Sequence, residues 1–304
     1  MKLIPLASES LGVRSLATFL EIGKIGILID PGAALGPKRY SLSPAKAELE
    51  ALQKAREKIQ QYSRKAQIIT ISHYHYDHHT PFFEGIYESS SPEKAKDIYS
   101  RKTLFIKHPR ENINFSQKKR AWAFLKEAEK IVEKIEHADG KFFDFGDFIM
   151  EFSPAVPHGS EGSKLGFVVM VMVDDGKQRL IHASDIQLLN RASKEWIIKQ
   201  MPDLLITGGP PTYLEGYRVK KAWSTGLKNL NEIIKETNAE VILDHHLIRD
   251  KRYPEFLEQL EKQALTFARF LKKEDRPLEA YRKELHKIEK GEEAEVPFDV
   301  GWYL

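Results

Sequence analysis

The sequence predicts an α/β fold in which sheets are covered by helices. Strand-like runs interleave with helical stripes, and hairpin turns occur in both halves. No glycine-rich phosphate loop marks a doubly wound nucleotide-binding fold.

The first strands are expected over 15–22 and 25–29, joined at Gly23-Lys24 and stopped by Asp30-Pro31-Gly32. Ser43-Pro44 opens a helix whose stripe of Leu49, Leu52, Ala55, Ile59 and Tyr62 runs to about Ser63, and a strand over 67–71 follows. Between 80 and 157 the pattern gives a strand over 103–106. A helix there carries Ala121, Phe124, Leu125, Ala128, Val132 and Ile135 on one stripe. Further strands are expected over 142–145, 148–152, 165–173 and 178–183, the last two joined by an Asp174-Asp175-Gly176 turn. Strands over 204–207 and 241–243 enclose a helix. A charged helical segment fills 254–290, with Leu257, Leu260, Ala264, Phe267 and Leu271 expected to pack on the domain.

No linker or composition break divides the 304 residues, so one domain spanning 1–304 is expected. It carries a partly helical insertion at about 84–140 and a C-terminal helical extension at about 254–290. The absence of cysteine excludes disulfides, a thiol nucleophile and thiolate ligands, which restricts any metal chemistry to imidazole and carboxylate. A net charge of +3 gives no global nucleic-acid or membrane signature. No apolar run has signal-peptide or membrane-spanning character, so a cytoplasmic location without membrane contact is the default expectation. Lys- and Glu-rich helices without Cys also fit a thermophile's composition.

The chemistry concentrates where the apolar run Ile68-Ile69-Thr70-Ile71 leads into His73-Tyr74-His75-Tyr76-Asp77-His78-His79. Alternate side chains of an extended segment share a face, so His73 and His75 can reach one ion, and a following turn can aim Asp77 and His78 at a second. Burying these groups without a metal or a hydrogen-bond network would be costly.

His73-Tyr74-His75-Tyr76-Asp77-His78 resembles the H-x-H-x-D-H signature of the metallo-β-lactamase superfamily. The resemblance covers roughly residues 16–249 and implies an αββα sandwich of two mixed sheets flanked by helices, with metals at one edge. It implies further ligands at later strand ends: His158, then Asp185 bridging two ions, then His245 in Leu243-Asp244-His245-His246. His246 is then a supporting or substrate-facing residue. Members commonly carry Gly before the bridging aspartate, where Ser184 stands here. Asp30 matches the early aspartate that supports the site without coordinating. His79 and His182 are candidates for supporting the site or contacting substrate, and Arg249 resembles the placement of an arginine in the superfamily's transfer-RNA-processing nucleases.

The resemblance implies a metallo-hydrolase whose two divalent ions, Zn2+ before Mn2+ or Fe2+, share a bridging hydroxide. His73, His75 and His158 would hold one ion and Asp77, His78 and His245 the other, with Asp77 and Asp185 the carboxylates assigned to the chemistry. Metal binding lowers the pKa of water from about 16 toward about 7. A phosphodiester, in a small molecule or nucleic acid, is the leading substrate. A carboxylic ester, lactone or thioester is the alternative, and a non-catalytic metal-binding or scaffold protein of the same fold is a third reading. The leading choice draws on Arg101, Lys102, Lys107, Arg110, Lys118, Lys119 and Arg120, a cationic run attractive to phosphates or equally a solvated face. Phe115, Trp122 and Phe124 offer either stacking surfaces or core contacts. Gly208-Gly209-Pro210-Pro211, followed by Tyr213, reads as a rigid loop on the metal rim or as a structural turn.

Overall fold

The computed structural model describes residues 1–300. Its first sheet has six strands in sequential order: β1 (Lys2–Ser8), β2 (Leu16–Ile22), β3 (Ile25–Ile29), β4 (Ile68–Ile71), β5 (Thr103–Ile106) and β6 (Lys134–His137). β1 to β3 pair antiparallel, and β3 to β6 run parallel. The second sheet is built from β7 (Phe142–Asp144) and β8 (Ile149–Phe152), then, after a small ribbon of β9 (Val156–Pro157) and β10 (Phe167–Val168), from four more strands. These are β11 (Val171–Asp174), β12 (Arg179–His182), β13 (Leu204–Thr207) and β14 (Glu240–Leu243), in spatial order β14-β13-β12-β11-β8-β7. Here β12 to β14 are the parallel strands.

Side-chain alternation explains why the sheets stack. Along β3, Ile27 and Ile29 enter the core between the sheets, while Leu28 faces the helices outside. That outer layer holds α1 (Lys46–Ser63), α2 (Pro92–Tyr99) and α3 (Phe115–Ala128), whose Leu52, Ile98 and Phe124 share one cluster with Leu28. On the far face, Ile197 of α4 (Arg191–Gln200), Leu230 of α5 (Ala222–Thr237) and Phe256 of α6 (Tyr253–Glu258) pack with Leu205 and Val241. The layers are therefore αββα, as the resemblance implied.

Three readings from periodicity fail locally. The stripe through Val132 and Ile135 is not one helix, because α3 ends at Ala128 and Ile135 lies in β6. The segment at about 84–140 therefore supplies two strands, β5 and β6, to the first sheet. The stretch 254–290 is also broken, into α6, α7 (Phe267–Phe270) and α8 (Arg282–Glu289). Leu265 is extended instead and pairs beside β14, accepting from Leu243 N at 2.8 Å and donating to Val241 O at 2.9 Å. Leu257, Ala264 and Phe267 are buried against the sheets as expected. No helix among the described residues is long and apolar enough to cross a membrane.

Buried ion pairs tie the C-terminal segment down. Arg282 forks onto Glu48 of α1 at 2.8 and 2.7 Å, and Arg14 forks onto Glu279 at 2.6 and 2.7 Å. Burial by itself raises the Glu279 carboxyl, but Arg14 brings it down to about 2 from an ordinary 4.5. A carboxylate depressed by folding stabilises fully above its unfolded pKa and loses that contribution as pH falls through the folded value. Glu279→Gln should therefore flatten the acid limb of the stability profile between pH of about 4.5 and about 2. Denaturant midpoints measured across that window check this, and an unchanged slope would contradict it.

Candidate metal centre

The centre forms where the carboxyl ends of the parallel strands of both sheets meet. β4 is buried throughout and apolar but for Thr70, and its exit carries His73. The chain then turns back on itself, with His78 N and His79 N donating to His75 O at 3.0 and 3.3 Å, which swings Asp77 and His78 toward the same space. Gly32 makes this turn fit: a Cβ there would lie 2.3 Å from His79 N and 2.4 Å from His78 N.

From the second sheet, Asp185 follows β12 and both His245 and His246 follow β14. Asp185 Oδ2 lies 3.2 Å from His78 Nε2, 3.2 Å from His158 Nε2, 3.4 Å from His246 Nε2 and 3.8 Å from His73 Nε2. Its Oδ1 lies 3.4 Å from His245 Nε2, which is 3.6 Å from Asp77 Oδ2. Three groups could each hold an ion: His73, His75, His158 and Asp185; Asp77, His78 and His245; and Asp185, His245 and His246. Buried His78 Nε2, His158 Nε2 and Asp185 Oδ1 have no hydrogen-bond partner, so their close approaches lack hydrogen-bond geometry. Orphaned lone pairs aimed at one point suit a cation, so this donor set fits divalent metal.

Partners around the cluster fix which nitrogen faces it. Asp30 accepts from Ser72 N at 2.8 Å and Ser72 Oγ at 2.7 Å, and lies 2.8 Å from His78 Nδ1. Ser72 Oγ, donating to Asp30, is left to accept from His73 Nδ1 at 2.9 Å. Both imidazoles then point Nε2 inward, that of His78 without a partner and that of His73 3.0 Å from His75 Nδ1. Ser184 holds φ of 49°, a left-handed backbone that glycine adopts without strain. Its hydroxyl donates to Asp30 at 3.0 Å, a hydrogen bond glycine could not make. Asp30 and His245 are left-handed as well, with φ of 49° and 52°, so three strand exits share this strained conformation.

Glu9 escaped the sequence reading. It sits in a 3₁₀ turn (Glu9–Leu11), buried, with Oε2 2.6 Å from His245 Nδ1 and Oε1 bonded to Arg249 Nε. Asp244 clamps that turn to the end of β14, accepting from Ser8 Oγ, Ser10 N and Phe267 N at 3.1, 3.0 and 2.9 Å. Only its acidic type and its place near a strand end could have signalled Glu9, and neither is specific.

The remaining predicted residues divide between the centre and its supports. Arg249 reaches Tyr213 OH at 3.3 Å and lies 3.7 Å from Asp77 Oδ2. Gly208 backs onto the centre, where a Cβ would sit 3.2 Å from Asp185 Oδ1. His79 donates to His75 O at 2.9 Å and packs against Phe124, while His182 donates to Leu16 O at 2.9 Å. Neither joins a candidate ligand group.

Electrostatics divide the imidazoles into two sets. Burial, reinforced by neighbouring imidazoles, lowers His75 to about 3 and holds His73 and His246 well below the usual histidine range. Burial opposes protonation of His245, yet Glu9 and Asp185 raise it to about 9. Asp185 stays well below the carboxylate range, its burial outweighed by His246, His78 and His245. His73, His75 and His246 thus carry the neutral form metal binding needs, whereas His78, raised against its burial by Asp185 and Asp30, and His245 would each release a proton to a bound cation.

Fold and centre together define a metallo-β-lactamase-fold protein. The structure superposes on YhfI from Bacillus subtilis, a metallo-β-lactamase fold protein, with a TM-score of 0.51 and 14% identity, covering 87% of this chain and 94% of that one. Tm1679, a metal-dependent hydrolase of the β-lactamase superfamily, matches with a TM-score of 0.52 and 11% identity over the same shares. At the level of sequence, the chain belongs to the UPF0282 family. It is 73% identical to the UPF0282 protein of Thermococcus gammatolerans over 99% of this chain and 100% of that one. Identity is 67% to the Pyrococcus horikoshii protein, over 100% of this chain and 99% of its relative. For the Methanocaldococcus jannaschii protein it is 50%, over 94% and 96%. No family model matches the sequence.

Glu9→Ala should weaken binding of the second equivalent of Zn2+ by about 10- to 100-fold, with the first little changed, because His245 loses its orienting carboxylate. Glu9→Gln should retain part of the affinity. Competition titrations against a chromogenic chelator read both steps, and equal effects on the two steps would contradict the assignment of Glu9 to one side of the centre.

Proposed function

We propose that the chain is a metal-dependent hydrolase acting on a phosphodiester. The observation that carries this reading is the convergence of six imidazoles and two carboxylates on one largely buried point, with the inward nitrogens of His78 and His158 unpaired. His73, His75 and His158 would hold one divalent ion and Asp77, His78 and His245 the second, with Asp185 within reach of both groups. His246, 3.4 Å from Asp185, is close enough to complete either shell or to face substrate. Nitrogen and carboxylate donors suit Zn2+ and also accept Mn2+ or Fe2+. When bound, such a pair of ions supplies an activated water and a Lewis-acid contact for the substrate oxygen.

The chain's own residues supply the rest. Asp30 and Glu9 hold imidazoles in fixed tautomers, and Arg249 presents a guanidinium beside Asp77. Gly208 lets its loop pack closely on Asp185, where a Cβ would lie 3.2 Å from Oδ1. A phosphodiester is favoured over a neutral ester because guanidinium groups flank the centre. Arg249 lies on one side, and Arg120 on the other is near enough for its charge to lower His75 and His79. Cations stabilise charge that develops on a phosphoryl group.

Protein stripped of metal and reloaded with Zn2+, Mn2+ or Fe2+ should hydrolyse bis(4-nitrophenyl) phosphate faster than a lactone or an acyl thioester. Removing a partner that only orients a ligand costs 10- to 100-fold, so Asp185→Asn should reduce turnover by about 100-fold or more. Faster turnover of the lactone or thioester would move the activity to carbonyl substrates. No turnover of any of them, with fewer than one ion bound, would leave a non-catalytic scaffold.

A further inference from the structure

The cationic run in the sequence does not form one patch. Lys107 is fully buried and paired with Asp139 at 2.7 Å, and Lys102 donates to Ala66 O at 2.7 Å. What remains concentrated is α3. Its buried face is Gln117, Ala121, Phe124 and Ala128, and Phe124 packs against His79 of the metal-site turn. At 100° per residue, the opposite face gathers Phe115, Lys118, Lys119, Trp122 and Lys126. All five are exposed, Phe115 by 84% and Trp122 by 65%. These are large aromatic surfaces left in water where the sequence alone had allowed core contacts.

One flank of the same helix borders the turn that carries His75 and Asp77. Arg120 stacks over Tyr76, 4.9 Å from its ring centroid, between His75 and Asp77 in sequence. No carboxylate lies within 4.0 Å of its guanidinium among the described residues. At the N-terminal end, Asn114 and Gln117 donate to Lys164 O and Leu165 O, each at 2.8 Å, in the loop that follows His158. α3 is therefore fixed against the metal-site turn at Tyr76 and His79 and against the loop after His158, with its outward face leading away from it.

We infer that α3 is a single-stranded nucleic-acid binding element that feeds a phosphodiester strand past Arg120 to the metal centre. The inference rests on the phosphodiester reading and names its substrate class. Lys118, Lys119 and Lys126 track backbone phosphates, Phe115 and Trp122 stack bases, and Arg120 takes the phosphate nearest the scissile one. Charge complementarity favours this occupant: within α3 four cations face a single acid, Glu127. From Phe115 to Lys126 the face spans about 16 Å at 1.5 Å per residue, room for more than one nucleotide. A protein partner would gain from the two aromatics but not from lysines interleaved between them, and a duplex buries the base faces that the aromatics need.

The test is fluorescence anisotropy of a labelled 12-nucleotide oligothymidylate with the metal-loaded and metal-free protein over a salt series. The wild type should bind in both forms, with affinity falling as salt rises. Lys118→Ala/Lys119→Ala should reduce the log-log salt slope by about 1.4, at about 0.7 per phosphate contact on a single strand. Trp122→Ala should weaken binding by about tenfold, the loss of one stacked base. The charge-matched control Lys228→Ala/Lys235→Ala, on the surface of α5, should leave the slope unaltered. No binding by the wild type at about 50 mM salt would overturn the inference, as would α3 variants that bind like wild type. So would a Trp122→Ala protein whose sedimentation reveals altered self-association while oligonucleotide binding is intact. Hydrolysis of bis(4-nitrophenyl) phosphate is read separately, so cleavage without oligonucleotide binding removes this inference alone. Binding without cleavage of any diester removes the hydrolase reading.

Discussion

Five imidazole nitrogens approach the carboxylate of Asp185 within 3.8 Å, in a pocket where every one of those side chains is buried. Such a concentration of unpaired donors is unstable in a protein interior unless positive charge is placed among them. The surrounding structure is arranged around this constraint. Two sheets bring their parallel strands to one edge, so side chains far apart in sequence arrive there from β4, β12 and β14. Asp30, Glu9 and Ser72 occupy the outward nitrogens, leaving the inward ones for a ligand.

Strain accumulates at the same edge. Asp30, Ser184 and His245 all leave their strands in the left-handed region, each at an energetic cost of order 1–3 kcal/mol. Hydrogen bonds offset part of that cost. Ser184 bonds to Asp30 and lies 2.8 Å from Ser72 Oγ, and His245 N donates to Asp244 at 2.7 Å. The departure from glycine at position 184 thereby links the exits of β3, β4 and β12 through one hydroxyl. The N-terminal strand contributes in the same way: Glu9 and the Asp244 clamp join the first turn of the chain to the last ligand strand, 236 residues away.

Much of this was legible in the sequence because strand exits carry local signals. An apolar run ending in His-x-His-x-Asp-His, and later runs ending in Asp185 and His245, each announce a side chain at a sheet edge. The choice between His245 and His246 was less legible, and the structure brings both within 3.4 Å of Asp185. Contacts across long separations left no trace. Nothing near Glu9 indicates that it meets His245, and Pro5 obscured β1, which tolerates proline because it is an edge strand. Where tertiary pairing overrode local periodicity, the reading went wrong. Ile135 continues a helical stripe but is drawn into β6, and Leu265 sits in an apparent helix but pairs with β14. Short apolar stretches carry too few residues for period alone to separate strand from helix.

The central claim is that one buried carboxylate organises two metal positions, and anomalous diffraction from crystals of metal-repleted protein tests it most directly. Two peaks about 3.5–4 Å apart are expected, as in two-metal sites generally, with Asp185 touching both. His158 should lie on one ion and His245 on the other. A single peak, or peaks away from Asp185, would contradict it.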